Sequence, residues 1–506
     1  MKKEKILFWI IILIGIIVRI YGWPNVISEV NCDEIMTAIN ANAIAETGKD
    51  IYGTSFPVYL EAWRVFGQSV FLMYCIAICI KIFGISLIAV RLPMLLISII
   101  SLFVFYDLCK RIFKSEKIAL ISLFVLTISP WHILQSIWSI DCNMFPHMLL
   151  ISIYVLYRGL DNKKLLYLSM ILFGITMYTY GEAIYIVPFL LLIIGIYLLK
   201  KKEISIKQLV ICIILYLLVS LPILTMFFLN GFGIDKNISI GPITIQYFKD
   251  NVRTGDMLFF SDNIGSTLLN NIKCLFKTIF MQYDNLEWNA TKEYGTIYLT
   301  SIIFVIIAIA NIIKTKKKDG KLSKEKFILI SWLIISLFLG IIINDVNINR
   351  LNIVWYPLIL LTGYGISLLF EKNKIIGKII IIIYSIIFIT FAIYLNTEYG
   401  NIIDMSGCFS KNYLKAIKYA DSLSKEELIY SNTTKDGSLE VYIKFQTTVD
   451  KQKYTEITDN NEILENIDTL SENQVLLIKN EEYSSDKLID NNYKVEKFNN
   501  YLVVYK

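Results

Sequence analysis

Hydrophobic residues fall in long, nearly uncharged runs over the first four-fifths of the 506-residue chain and in short alternating groups over the last fifth. The runs are about 14 to 22 residues long, close to the roughly 20 that a helix needs to cross a bilayer. Lys- and Arg-rich clusters punctuate them at 2–5, 110–117, 158–164, 200–207, 314–326 and 372–378. Loops on the cytoplasmic side carry an excess of such residues, so all of these clusters are assigned there. Parity then orders the chain. Runs 6–21, 70–83 and 88–109 separate the first two clusters, and only an even number of them can span. Run 70–83 is short, holds Lys81 and is bracketed by Gly67 and Gly84, so it is read as a helix on the outer surface. Runs 119–132, 144–157, 165–180, 183–199, 209–229, 296–313, 327–343, 353–370 and 375–394 then alternate in direction. This predicts a polytopic α-helical membrane protein of about 11 transmembrane helices, with a cytoplasmic N-terminus and a long outer loop over 230–294.

The loop after the first run has structure of its own. Asp33 and Glu34 open a helical pattern over 35–47 that stops at Gly48, with apolar residues spaced to rest on the membrane surface. An extended piece, 51–59, follows with turn residues Gly53 and Pro57. Beyond Leu395 the composition turns polar. Residues 412–422 read as a helix, 428–431 and 474–479 as strands, and 493–505 as a hairpin around Asn499–Asn500. The chain thus divides into a transmembrane domain, 1–400, and a small α/β domain, 401–506, which parity puts outside the cell membrane.

Composition removes several function classes. The net charge of +6 is spread over short inter-span clusters, so no nucleic-acid footprint exists. The eight cysteines form no CxxC pair, which indicates neither a zinc site nor a disulfide framework. His132 and His147 are the only histidines, too few for a metal site without further ligands nearby. Charges touching the spans gather at their outer ends: Arg19, Asp33, Glu34, Glu61, Arg64, Arg91, Asp141, Glu182, Asp345 and Arg350. Coupled carriers place ionisable groups near mid-membrane. A ring of acids and arginines at one face instead suits chemistry on a lipid-linked substrate whose headgroup lies at the boundary.

Several motifs, in order, carry a resemblance. They are Asp33-Glu34, Gly48-Lys49-Asp50-Ile51-Tyr52-Gly53, Phe56-Pro57-Val58-Tyr59, Lys81-Ile82-Phe83-Gly84 and Arg91-Leu92-Pro93. Ser129-Pro130-Trp131-His132, Asp141-Cys142-Asn143, Tyr178-Thr179-Tyr180 and Asn349-Arg350-Leu351-Asn352 with Pro357 follow. Over residues 6–370 the chain resembles the GT-C superfamily of membrane glycosyltransferases, nearest the bacterial protein O-mannosyltransferase and aminoarabinose-transferase group. Two positions depart from that pattern. Ile137 stands where relatives often carry Arg, and Asn40 where they carry an acid.

The resemblance implies transfer of a sugar from a polyprenyl-phosphate carrier to a hydroxyl of a glycan, lipid or protein acceptor on the outer face, with inversion. Such a reaction needs a base for the acceptor proton and positive charge for the departing phosphate. It implies Asp33 as base, Glu34 as orienting group or ligand of a divalent cation, and Asp141 as a further acid of the cleft. Arg350 and Arg91 are the expected phosphate contacts, and Tyr59, Tyr178 and Tyr180 line the substrate. Whether a cofactor is needed stays open. Trp131 and Trp138 can stack on a sugar or sit at the bilayer edge, and Cys32 and Cys142 could bridge the cleft. A flippase-like handler of lipid-linked sugars and a scaffold for envelope assembly are the rival readings.

Overall fold

The computed structural model describes residues 2–25, 30–62, 65–249, 256–399, 411–423, 427–432, 442–445, 454–479, 488–489 and 493–506. Arg64, Cys408 and the boundary expected at 400/401 lie outside them. Each run assigned to a span is helical: α1 (Lys2–Asn25), α4 (Leu87–Phe113), α5 (Glu116–Thr127), α7 (Asp141–Gly159), α8 (Lys163–Thr176) and α9 (Ala183–Lys200). The set continues with α10 (Ile206–Gly231), α12 (Ser301–Asp319), α13 (Lys324–Ile342), α14 (Trp355–Lys372) and α15 (Lys374–Thr397). Among the described residues, 6 helices are by themselves long and apolar enough to cross a membrane. The short run forms α3 (Val70–Phe83), with the bounds its pattern predicted.

α14 is the central post. Thirteen consecutive residues, Trp355 to Ser367, are buried. Gly363 faces Ser122 of α5, and Gly365 faces the carbonyl of Phe304 on α12, so closely that a Cβ at either position would collide. Small residues allow such approach where lipid supplies no hydrophobic drive between helices.

The first outer loop departs from its reading. α2 (Cys32–Thr47) begins with a capping box: Asn31 accepts from the Asp33 amide, and Glu34 accepts from the Asn31 amide. It ends at Gly48, whose φ of 73° is the left-handed cap. Yet α2 does not rest one face on lipid. Glu34 through Asn42 are all buried, because α3 covers one side and the C-terminal domain another. Tyr413, Ile417, Leu428, Tyr430, Val475 and Val503 join Ile35, Met36 and Ile39 in one apolar cluster. The Tyr442 hydroxyl donates to the Val30 carbonyl at 2.5 Å.

The long outer loop is folded as well. It holds the hairpin β3 (Ile238–Ile240) and β4 (Ile243–Ile245) and the helix α11 (Ile264–Met281). Thr244 pairs with Pro57 of the first loop, and the Gln246 side chain donates to Thr54 Oγ1 at 2.6 Å. Ahead of this junction, β1 (Leu60–Ala62) and β2 (Val65–Gln68) form a second small ribbon.

In the C-terminal domain, β5 (Glu427–Ser431) lies parallel to β6 (Tyr454–Ile457) and to β7 (Gln474–Lys479). The hairpin β8 (Lys494–Phe498) and β9 (Tyr501–Tyr505) closes the sheet in the order β6-β5-β7-β9-β8. α16 (Lys411–Leu423) and α17 (Asn460–Thr469) complete it.

Candidate active site

A break in the bundle prepares the site. α5 stops at Thr127, and Pro130 starts the short α6 (Pro130–Gln135). Ending a helix within the bilayer strands its last carbonyls, which must then be satisfied by protein. Arg19 does this from α1. Its guanidinium reaches the carbonyls of Leu126 and Thr127 at 3.4 and 3.3 Å, and its Nε donates to His132 Nδ1 at 3.0 Å. Ser101 and Tyr356 meet the other His132 nitrogen at 2.8 and 3.1 Å, and Tyr356 passes the chain to His147 Nδ1 at 2.7 Å. Arg19 is fully buried. Both histidines serve this buried hydrogen-bond network.

A second knot sits beside it. Asn352 accepts from Trp131 Nε1 at 2.6 Å and donates to Gln135 at 3.0 Å and to the Cys142 carbonyl at 2.8 Å. It ties α6 and the first turn of α7 to the loop carrying Arg350. Trp131 and Trp138 are both fully buried, so neither lies open as a stacking platform.

Asp141 opens α7. One carboxylate oxygen accepts from the Ser69 amide at 2.9 Å and the other from the Cys142 amide at 2.8 Å. Asp33 is half-buried at the start of α2, its carbonyl accepting from Thr37 and Gln68. Cys142 lies within electrostatic reach of Asp141, Asp33 and Glu182. Glu182, Tyr59, Tyr185 and Asp256 line a small neighbouring cleft, together with Phe227 and Met257. Asp256 leads to Arg350, pairing with its guanidinium at 2.9 Å. A second guanidinium nitrogen donates to the Asn344 carbonyl at 2.6 Å, and the side chain keeps 18% of its surface exposed. Cys32 and Cys142 are not bridged to each other.

Glu34 and Arg91 do not open onto this cleft. Arg91 grips the Glu34 carboxylate with two donors at 3.1 and 2.9 Å, and the Asn31 and Ser139 amides add two more at 3.1 and 2.6 Å. Both side chains are at most 1% exposed. A carboxylate satisfied by four N–H donors is a fastener, so the expectations that Glu34 orients substrate or ligates a cation, and that Arg91 holds phosphate, give way to positioning roles. Arg91 also lies over the Trp138 ring, 4.9 Å from its centroid. Among the described residues, no group of three His, Cys, Asp or Glu side chains assembles as a metal site.

The tyrosines divide similarly. Tyr59 lines the cleft with its ring, and its hydroxyl is tied to the Gly67 carbonyl at 3.1 Å. Tyr180 is buried against Phe145. Tyr178 donates to the Val219 carbonyl at 2.8 Å, joining α8 to α10 rather than facing substrate. Asn40 explains its own departure from the family pattern. It donates to the Met36 carbonyl at 2.9 Å and accepts from the Ile51 amide at 3.2 Å, two tasks that an ionised carboxylate cannot perform together. Ile137 is fully buried in the main core.

Glu182 and Asp256 are the acids that the motif reading passed over. Glu182 follows the Tyr178-Thr179-Tyr180 motif directly and was visible as an outer-end charge. Asp256 sits in a long loop without any periodic signal.

Residues 68–227 match the family described as dolichyl-phosphate-mannose-protein mannosyltransferase. No curated protein matches the chain. Among solved structures, the chain is similar to ArnT from Cupriavidus metallidurans bound to undecaprenyl phosphate, with a TM-score of 0.59 and 12% identity over 99% of this chain and 97% of that one. The apo state of the same protein gives 0.52 at 12% identity, covering 99% and 98%. The archaeal oligosaccharyltransferase AglB from Archaeoglobus fulgidus, in complex with an inhibitory peptide and a dolichol-phosphate, gives 0.52 at 12% identity over 94% of this chain and 69% of that one. The chain is a multi-pass membrane protein with a fold similar to that of ArnT and AglB.

Proposed function

We propose that the protein transfers a sugar from a polyprenyl-phosphate donor to an acceptor hydroxyl at the outer face of the cell membrane. The observation that carries this reading is the cleft lined by Tyr59, Glu182 and Asp256, in which Asp256 holds the half-buried Arg350. The lipid phosphates bound by ArnT and AglB supply the class of donor.

In this reading Asp33 accepts the proton of the acceptor hydroxyl. The hydroxyl oxygen bonds to the anomeric carbon from one side as the bond to the phosphate oxygen breaks on the other, inverting the centre. The polyprenyl phosphate leaves as an anion held by Arg350, so no acid need protonate it. Asp141, its two oxygens fixed by amides, shapes the acceptor side with Glu182. Glu34 and Arg91 hold the helix that presents Asp33. The acceptor is a glycan, lipid or protein reaching the cleft past the C-terminal domain, which lies outside with Asp33.

Asp33→Asn tests it. The amide keeps size and capping ability but takes no proton, so turnover from a polyprenyl-phosphate sugar should fall roughly 10²- to 10⁴-fold with donor binding retained. Near wild-type turnover ends the base assignment. Absence of transfer by the wild type with any such donor, but with donor bound, moves the protein to the flippase-like reading.

A further inference from the structure

At the end of the bundle away from the acids, α9 stands apart from α8 and α10. It leans instead on α13, where Tyr197 stacks on Phe327 with ring centroids 3.7 Å apart. The space left between α8, α9 and α10 holds about 280 Å³, walled by Met170, Pro188, Leu191, Gly195 and Cys212. The wall also includes the Tyr216 ring, whose hydroxyl is already turned to the Met177 sulfur at 3.2 Å. The groove opens sideways: Leu192, Ile196, Ile213 and Leu217 form its lips and are exposed. In a membrane protein those lips face hydrocarbon.

An apolar wall alone selects nothing in a bilayer, because lipid tails are as apolar as Leu. The lower end of the groove adds charge. Its last lining residues are Leu166, Leu198, Ile204 and Leu209. Lys163 and Lys164 precede the first of these, Lys200, Lys201 and Lys202 lie between Leu198 and Ile204, and Lys207 precedes Leu209; all six are exposed. Of the acids at this end, Asp161 pairs with Arg111 and Glu203 with Lys324, and Glu325 stands on α13. An uncovered cationic rim at a bilayer surface attracts anionic headgroups.

We propose that this groove is a binding site for an anionic diacyl phospholipid of the lysine-side leaflet, one acyl chain lying between α9 and α10 and the phosphate held at the Lys200–Lys207 rim. The site is separate from the sugar-transfer cleft at the other end of α9, and the proposal stands whether or not the transfer reading does.

Native mass spectrometry of the full-length, delipidated protein tests it, with phosphatidylglycerol and phosphatidylcholine of identical chains as probes. A lysine near an anionic surface contributes about fivefold, so phosphatidylglycerol should be retained at least about tenfold over phosphatidylcholine. Replacing Lys200, Lys201, Lys202 and Lys207 together by Gln should abolish that preference. Gly195→Leu should fill the groove and remove tight retention; an added Cβ there would meet only Leu209, at 3.4 Å. Should that variant fail to fold, Leu217→Trp at the exposed lip obstructs the same opening. Equal retention of the two lipids by the wild type overturns the proposal, as does unchanged retention in both blocking variants. So does an undecaprenyl phosphate that displaces phosphatidylglycerol and is itself lost in Gly195→Leu, which would give the groove to the carrier.

Discussion

The buried Glu34–Arg91 pair makes the sharpest demand on the reasoning, because its geometry turns two expected substrate contacts into a fastener. Arg91→Ala removes two of the four donors on the Glu34 carboxylate and its counter-charge, in a place where both side chains are at most 1% exposed. Breaking a buried pair from one side typically costs about 3–5 kcal/mol. Glu34→Gln should cost nearly as much. It leaves the guanidinium buried against a neutral group and turns an amide NH₂ toward one of two N–H donors, the Asn31 or Ser139 amide. Combining Glu34→Gln with Arg91→Gln removes both charges at once, so its cost should fall short of the sum of the single changes by about 1–3 kcal/mol. Arg91→Lys should recover part of the loss, since charge survives while the planar fork does not. Unfolding midpoints of the purified variants in one detergent read this directly. A shift of roughly 2 °C or less per kcal/mol is expected for a chain of this size, so single variants should drop on the order of 5 °C. Unchanged midpoints combined with lost donor binding would refute the assignment and return both residues to the substrate.

Arg350→Ala should weaken binding of a polyprenyl-phosphate donor by roughly ten- to 150-fold, as loss of a charged hydrogen-bond partner costs about 1.5–3 kcal/mol; unchanged affinity in a direct binding assay removes Arg350 from the site. Asn352→Leu strands the Trp131 indole N–H and the Cys142 carbonyl, at about 1–3 kcal/mol for each buried group. Its unfolding midpoint should fall, and an unaffected midpoint would show the knot to be dispensable. In a cysteine-free background, Glu465→Cys should react with an impermeant thiol reagent in intact cells and Lys317→Cys only after permeabilisation; the reverse pattern overturns the outer placement of the C-terminal domain and of Asp33.

Much of this architecture is legible in the residue pattern because a bilayer enforces it. A run such as 70–83 can be read as α3 from its length and flanking glycines alone, and the β8–β9 hairpin from Asn499–Asn500. What escapes is pairing across long separations. Nothing local says that Arg19 will cap α5, that Glu34 will spend its oxygens on Arg91 and Ser139, or that Asp256 will hold Arg350. α2 shows the same limit. Its apolar spacing fits a surface helix, and only the C-terminal domain, supplied by the far end of the chain, converts its second face into core. α11 was legible in principle, since Leu268, Leu269, Ile272, Leu275 and Ile279 recur at helical spacing, but a loop between spans draws no attention to periodicity.

The burial of α14 has a consequence for biogenesis. A helix whose Gly363 lies against α5 and whose Gly365 lies against α12 cannot reach its seat until both neighbours are in the membrane. Translation delivers α5 well before it, and α12 also precedes it in the chain. Until it docks, His132 lacks the Tyr356 hydroxyl, Trp131 lacks its Asn352 acceptor, and the head of α7 is held on one side only. Completion of the buried knots around α6 and the head of α7 is therefore a late event in the life of the chain, and errors that delay α14 would leave them unformed.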